Sequence, residues 1–149
     1  MYVCLYLYSV LFHSIALSLK LSYNYIYNCN IGIFLSRIKS YERRLKVVIT
    51  KNTITNCNTF ALLFKGKPIP DFHDNNILIP KQGLYIKIEG PFYLDSMTSI
   101  DLSNNYWGLN IIDDIHRKIS NEVTSIEGYI REINIVPIST SFFIDAYPR

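Results

Sequence analysis

Ser22-Tyr23-Asn24-Tyr25-Ile26-Tyr27-Asn28-Cys29-Asn30-Ile31-Gly32-Ile33-Phe34-Leu35 reads almost as a copy of Thr50-Lys51-Asn52-Thr53-Ile54-Thr55-Asn56-Cys57-Asn58-Thr59-Phe60-Ala61-Leu62-Leu63. Asn24, Ile26, Asn28, Cys29 and Asn30 fall on Asn52, Ile54, Asn56, Cys57 and Asn58. A fainter copy runs Asn75-Asn76-Ile77-Leu78-Ile79 and then Leu84 to Ile88, and a fourth is Ile100-Asp101-Leu102-Ser103-Asn104-Asn105. With Asn24, Asn52, Asn75 and Asn104 as markers, the segment recurs every 23 to 29 residues, the spacing of a solenoid or a similar array. Inside each copy the period is 2, as in Ile31/Ile33/Leu35, Leu45/Val47/Ile49, and Tyr85/Lys87 against Ile86/Ile88, which argues against helical repeats. A unit of this length holding two or three short strands is one rung of a parallel β-helix. Successive rungs hydrogen-bond about 4.8 Å apart. Equivalent residues therefore stack, Ile26 on Ile54 in the core and Asn28 on Asn56 at a bend. A stack of asparagines satisfies its own amides, and asparagine tolerates the left-handed backbone that bends need.

The composition agrees. In 149 residues, 49% are hydrophobic and 18% charged, which is a folded chain long enough for one core. Ile, Tyr, Phe and Asn dominate over Ala, a mix that suits strands and turns. Much of the net charge of +3 sits in Arg37 to Lys46, read as a solvated loop. No broad basic face with interleaved aromatics is present, which argues against a nucleic-acid partner. Ser36 to Arg44 and Lys65 to His73 read as outward insertions between rungs. Three cysteines without a CxxC form neither a disulfide framework nor a zinc site. Cys29 and Cys57 nevertheless occupy equivalent positions, with Cα atoms expected about 5 Å apart, either bonded or stacked as reduced thiols. Residues 1–14 lack charge and are undetermined, a signal segment or a truncated rung, with no basic region before them. From Ile15 the alternation Ile15/Leu17/Leu19/Leu21 is a strand period. A chain that opens in mid-pattern reads as a piece of a longer protein.

The rungs are expected over 15–108, closing at Asn104-Asn105-Tyr106-Trp107-Gly108. There Trp107 plugs the last rung and Gly108 permits a sharp exit. Ile111, Ile112, Ile115 and Ile119 then take helical spacing, with Asp113 and Asp114 in the first turn and Arg117 and Lys118 in the last. This predicts a helix from Ile111 to Asn121 capped by Asn110. A strand over Tyr129 to Ile138, with Pro137 near its end, completes a cap over 109–138 that protects the terminal edge. Residues 139–149 are a tail.

Asp101 to Gly108, then Ile112-Asp-Asp-Ile-His-Arg-Lys-Ile119, then Ile133-Asn-Ile-Val-Pro-Ile138, resembles the terminal signature of right-handed parallel β-helix proteins of the pectin lyase-like type. The Asn-x-Ile-x-Asn-Cys copies resemble the repeats of the same families, and the likeness covers roughly residues 15 to 138. Phe60 to Phe64 and Leu84 to Ile88 look most like the large animal cell-surface proteins of the bark beetle (Anakonda) type, which serve epithelial junctions. The resemblance implies an all-β, right-handed solenoid of three to four rungs. It also implies an extracellular or cell-surface setting, a parent protein anchored at a membrane, and a protein or glycan partner. The acidic run those families carry after the helix is here Ser120 to Ile126, with a single acid, and the rungs are few.

Right-handed β-helices include polysaccharide lyases and hydrolases, which need several converging carboxylates. None line up across the copies. Asp71 and Asp74 flank His73, a candidate metal or acid–base cluster or else a polar turn. His116 lies one turn from Asp113, the spacing of a salt bridge. No phosphate loop, nucleophile elbow or HExxH occurs, so no catalytic residue, cofactor or metal is assigned. The expected roles are structural, carried by Asn24, Ile26, Asn28, Cys29, Asn52, Ile54, Asn56, Cys57, Asn104, Asn105, Trp107 and Gly108. Three functions stay open. They are a non-catalytic module of a larger adhesion protein, a carbohydrate-active enzyme, and a carbohydrate-binding surface built from Tyr23, Tyr25, Tyr27 and Tyr41.

Overall fold

The computed structural model describes residues 3–7, 18–36, 46–65, 70–78, 84–89, 98–108, 111–121 and 130–141. Strand β1 is Val3–Leu7. Three circuits of three strands follow. The first is β2 (Ser18–Ser22), β3 (Tyr25–Tyr27) and β4 (Ile31–Leu35); the second is β5 (Lys46–Thr50), β6 (Thr53–Thr55) and β7 (Phe60–Lys65). The third is β8 (Asp71–His73), β9 (Asn76–Leu78) and β10 (Leu84–Glu89). The chain then gives β11 (Thr98–Asp101), helix α1 (Ile112–Arg117), β12 (Ile119–Asn121) and β13 (Ile130–Asn134). Corresponding strands pair in parallel, in the orders β2-β5-β8, β3-β6-β9, β1-β4-β7-β10-β12 and β11-β13. Parallel strands stacked in separate sheets make the molecule all-β and β-solenoid-like.

The register explains why the copied residues matter. Ile26 lies on Ile54 and Ile54 on Ile77. Leu21 lies on Ile49 and Ile49 on Phe72. Ile33, Leu62, Ile86 and Ile119 follow one another across the longest sheet. Apart from Leu21 and Ile119, which are partly buried and pack against it, these columns form one buried core that also takes in Phe64, Ile88, Ile100, Leu102, Trp107 and Ile115. Gly32 packs closely against the following circuit. A Cβ there would lie 2.7 Å from the Ala61 carbonyl oxygen and 2.8 Å from Ile54 Cγ2. Because one of these is backbone of the next rung, Gly32→Ala is expected to cost about 1–3 kcal/mol by overpacking, read as a lower urea midpoint.

Four expectations are corrected. Asp71 to His73 is not the end of a loop but strand β8, because Phe72 falls in register with Ile49 and enters the core. The helix stops at Arg117 rather than Asn121: Ile119 aligns with Ile86, so the backbone completes sheet pairing on β10 instead of another helical turn. The N-cap is Ile111, without a side-chain cap bond, so Asn110 does not hold that place. Ile111 and Ile112 are exposed and Ile115 alone of the four isoleucines is fully buried, since a helix of six residues turns only one such position inward. Strand β13 ends at Asn134, shorter than the stretch to Ile138 read from the sequence. The loop over 37–45, Tyr41 included, and residues 142–149 of the tail lie outside the described residues.

On the longest sheet, Lys65 and Glu89 are paired neighbours, and Glu89 bonds both Lys65 and Lys87. Burial pushes the Glu89 carboxyl up, but the two ammonium groups outweigh it and hold its pKa below the ordinary glutamate value. A depressed folded pKa stabilises above the unfolded pKa and loses that contribution as pH falls through the folded value. Glu89→Gln is therefore expected to flatten the acid limb of the stability profile, measured by urea melts at successive pH values below the ordinary glutamate pKa.

Candidate functional site

The repeated asparagines converge on one corner. Each copy places a left-handed residue just before an asparagine: Tyr23 (φ 62), Lys51 (φ 57), Asp74 (φ 56) and Asn104 (φ 58) precede Asn24, Asn52, Asn75 and Asn105. The four asparagines form one hydrogen-bonded column. The N–H and Nδ2 of Asn24 donate to Asn52 Oδ1 at 3.0 and 2.9 Å. Asn52 donates the same way to Asn75 Oδ1, both at 3.0 Å. Asn75 donates to Asn105 Oδ1 at 2.9 and 3.1 Å. The amide nitrogens also bond carbonyls, Asn52 those of Leu21 and Thr50, Asn75 those of Ile49 and His73, and Asn105 those of Phe72, Leu102 and Ser103. Asn52, Asn75 and Asn105 are fully buried, so every amide bond here replaces one that water would otherwise make. The column corrects the expected fourth member. Asn105, not Asn104, continues it, because Asn104 occupies the corner where its backbone accepts from Asp74 N–H. A second corner pairs Asn56 Nδ2 with Asn28 Oδ1 and carries left-handed φ of 52 and 55. Beyond it, Asn58 Nδ2 reaches Asn30 Oδ1 at 3.4 Å.

The cysteines diverge. Cys57 is a free thiol and Cys29 is disulfide-bonded, so neither a Cys29–Cys57 bond nor a pair of reduced thiols describes them. The physical reason is orientation: each sulfur turns toward the carbonyl two residues back, 3.1 Å from Tyr27 O and 3.7 Å from Thr55 O, rather than across to the other rung. Burial pushes the Cys57 thiol up to about 11, partly offset by a backbone hydrogen bond from Cys29.

Trp107 is buried and its ring centroid stands 5.0 Å from that of Tyr85. The Tyr85 hydroxyl donates to the Trp107 carbonyl. Burial first, then Asp114 and Tyr106, push the Tyr85 hydroxyl up to about 12, which keeps it a donor. Tyr85 and Lys87 alternate with Ile86 and Ile88 but meet different surroundings: Tyr85 is buried and closes over Trp107, while Lys87 joins the charged cluster. Gly108 adopts φ 67, and a Cβ there would meet Leu78 Cδ2 at 2.9 Å.

The acidic candidates do not converge. Asp71 pairs with Lys46 at 3.0 Å, and His73 Nδ1 meets Asp74 Oδ2 at 3.0 Å, all at half-exposed positions. The helix ion pair joins Asp114 and Arg117 rather than Asp113 and His116. Among the described residues no group of three His, Cys, Asp or Glu side chains is placed to hold a metal ion. No helix among them is long and apolar enough to cross a membrane. Tyr23 and Tyr27 are 52% and 53% exposed, and the Tyr27 ring lies 5.1 Å from that of Tyr25. Lys51 Nζ stands 5.5 Å above the Tyr23 ring and donates to its hydroxyl at 3.3 Å. Pro137, expected near the end of the last strand, also meets the corner: its carbonyl accepts from Asn104 N–H. The chain matches no protein-family description, no curated protein and no solved structure.

Proposed function

We propose that the chain is a non-catalytic segment of a right-handed, pectin lyase-like parallel β-helix. It serves as a structural and interaction module of a larger extracellular adhesion or junction protein. The observation that carries this reading is the asparagine column. The asparagines of this column bond inward, to one another and to backbone, which favours a rigid support over a reactive groove. A disulfide at Cys29 suits an oxidising compartment. The exposed Tyr23 and Tyr27 favour a second reading, a surface on which sugar rings stack. Incubation with pectin, alginate and heparin should give no rise in unsaturated-product absorbance; a rise would assign a lyase and overturn the non-catalytic reading. A glycan array of the chain and of its Tyr23→Ala/Tyr27→Ala variant decides the second. Glycan binding lost in the variant supports stacking on these rings, and no binding by either removes it.

A further inference from the structure

The three cysteines divide unequally. Cys57 is a free thiol and Cys29 is disulfide-bonded. The sequence holds one other cysteine, Cys4. Cys4 belongs to β1, which pairs in parallel with β4 and with no other strand among the described residues. Val3 stands on Ile31 and Leu5 on Ile33, so Cys4 takes the register position of Gly32.

The next circuit shows what that position faces. Gly32 stands in β4 as Cys4 stands in β1, and Cys57 is the copy of Cys29. The two copies are stacked, with Asn58 N–H donating to Cys29 O at 2.8 Å. A Cβ built on Gly32 would lie 3.1 Å from Cys57 Sγ. In a disulfide the same separation, from one Cβ to the sulfur across the bond, is about 3 Å, as an S–S length of about 2.05 Å requires. The stacking thus brings two positions to bonding distance, and glycine at one of them leaves Cys57 without a sulfur to meet. One circuit earlier, cysteine fills both. Cys57 is a poor competitor for Cys29. Its sulfur turns to Thr55 O at 3.7 Å, and burial holds it as the thiol, whereas the thiolate is what attacks a disulfide.

We propose that Cys4 is the bonded partner of Cys29 and that their disulfide is an oxidation-dependent strap, which fixes β1 on β4. The bond closes a loop that contains β2 and β3, and such a cross-link removes freedom from the unfolded chain. It forms when the two thiols give two electrons and two protons to a small-molecule disulfide, which leaves as two thiols. Cys29 is 1% exposed, so the finished bond is out of reach of a dissolved thiol until the turns around it open. In a reducing setting the bond is not made, and β1 keeps only its ladder with β4. The proposal rests on the placement of the cysteines and holds whether or not the chain belongs to an adhesion protein.

The test refolds the full chain in a buffer of oxidised and reduced glutathione, alkylates it in denaturant and digests it without reduction. Mass spectrometry is expected to give one cross-linked peptide that joins Cys4 to Cys29, with Cys57 alkylated. A bond from Cys29 to Cys57, a bond between two chains, or alkylated Cys4 and Cys29 overturns the pairing. Hydrogen exchange then reads the strap. In protein refolded with all thiols reduced, β1 amides are expected to exchange at least tenfold faster than in the oxidised protein, while those of β6 and β9 keep their rates. Cys4→Ser, refolded in the glutathione buffer, is expected to match the reduced protein. Equal exchange of β1 in the oxidised and reduced proteins overturns the strap, and this comparison needs no variant to fold.

Discussion

Trp107→Ala lowers the unfolding free energy by about 3–5 kcal/mol, the range for other buried aromatics cut to alanine. Trp107 is 1% exposed, packs its ring on Tyr85, and lends its carbonyl to the Tyr85 hydroxyl. Removal of the ring leaves a cavity beneath a tyrosine that must stay protonated and buried. Trp107→Phe is expected to cost clearly less, for two reasons. It refills part of the volume, and it deletes Nε1–H, a buried donor with no acceptor among the described residues. A donor left in that state costs about 1–3 kcal/mol. Urea melts of the three proteins decide the matter. An alanine variant that melts like the parent removes Trp107 from the core, and a phenylalanine variant as unstable as alanine removes the argument about the indole N–H.

The second large effect is Asn75→Asp, which changes no volume. Asn75 Nδ2 donates to Ile49 O, His73 O and Asn105 Oδ1. An aspartate directs an oxygen at three oxygens instead, in a fully buried place. Breaking a buried polar arrangement so as to leave an uncompensated charge costs about 3–5 kcal/mol. The cost depends on pH in a defined sense. Burial and the facing acceptors raise the folded pKa of the new carboxyl above its unfolded value. The ionic penalty is therefore absent below the unfolded pKa and grows as pH rises toward the folded one. Thermal melts at pH 4 and pH 8 should show the variant closer to the parent at the lower pH. A gap between variant and parent that is the same at both pH values would mean that Asn75 is solvated.

The solenoid-like stacking was legible because the side chains that build it recur in order: Ile26, Ile54 and Ile77 sit at one place in three copies and lie in one column. The left-handed corners at Asn28 and Asn56 were legible from residue type. The corners at Tyr23 and Lys51 were not, since neither residue favours that backbone and the stacked carbonyls of the next copy accept their N–H groups. The fourth marker slipped by one, because Asn104 and Asn105 are adjacent and composition alone does not say which amide turns inward. Helical spacing overextended α1, since Ile119 serves a strand as well as a helix and the waiting edge of β10 decides between them. The burial of Tyr85 is not legible from alternation, because its cover, Trp107, arrives 22 residues later.

Cys57 also has a use at the bench. The thiol is sealed from solvent and reluctant to ionise, while Cys29 is already oxidised. An alkylating reagent therefore meets it only when neighbouring turns of the coil part, and the rate of labelling becomes a clock for how often the middle of the molecule breathes.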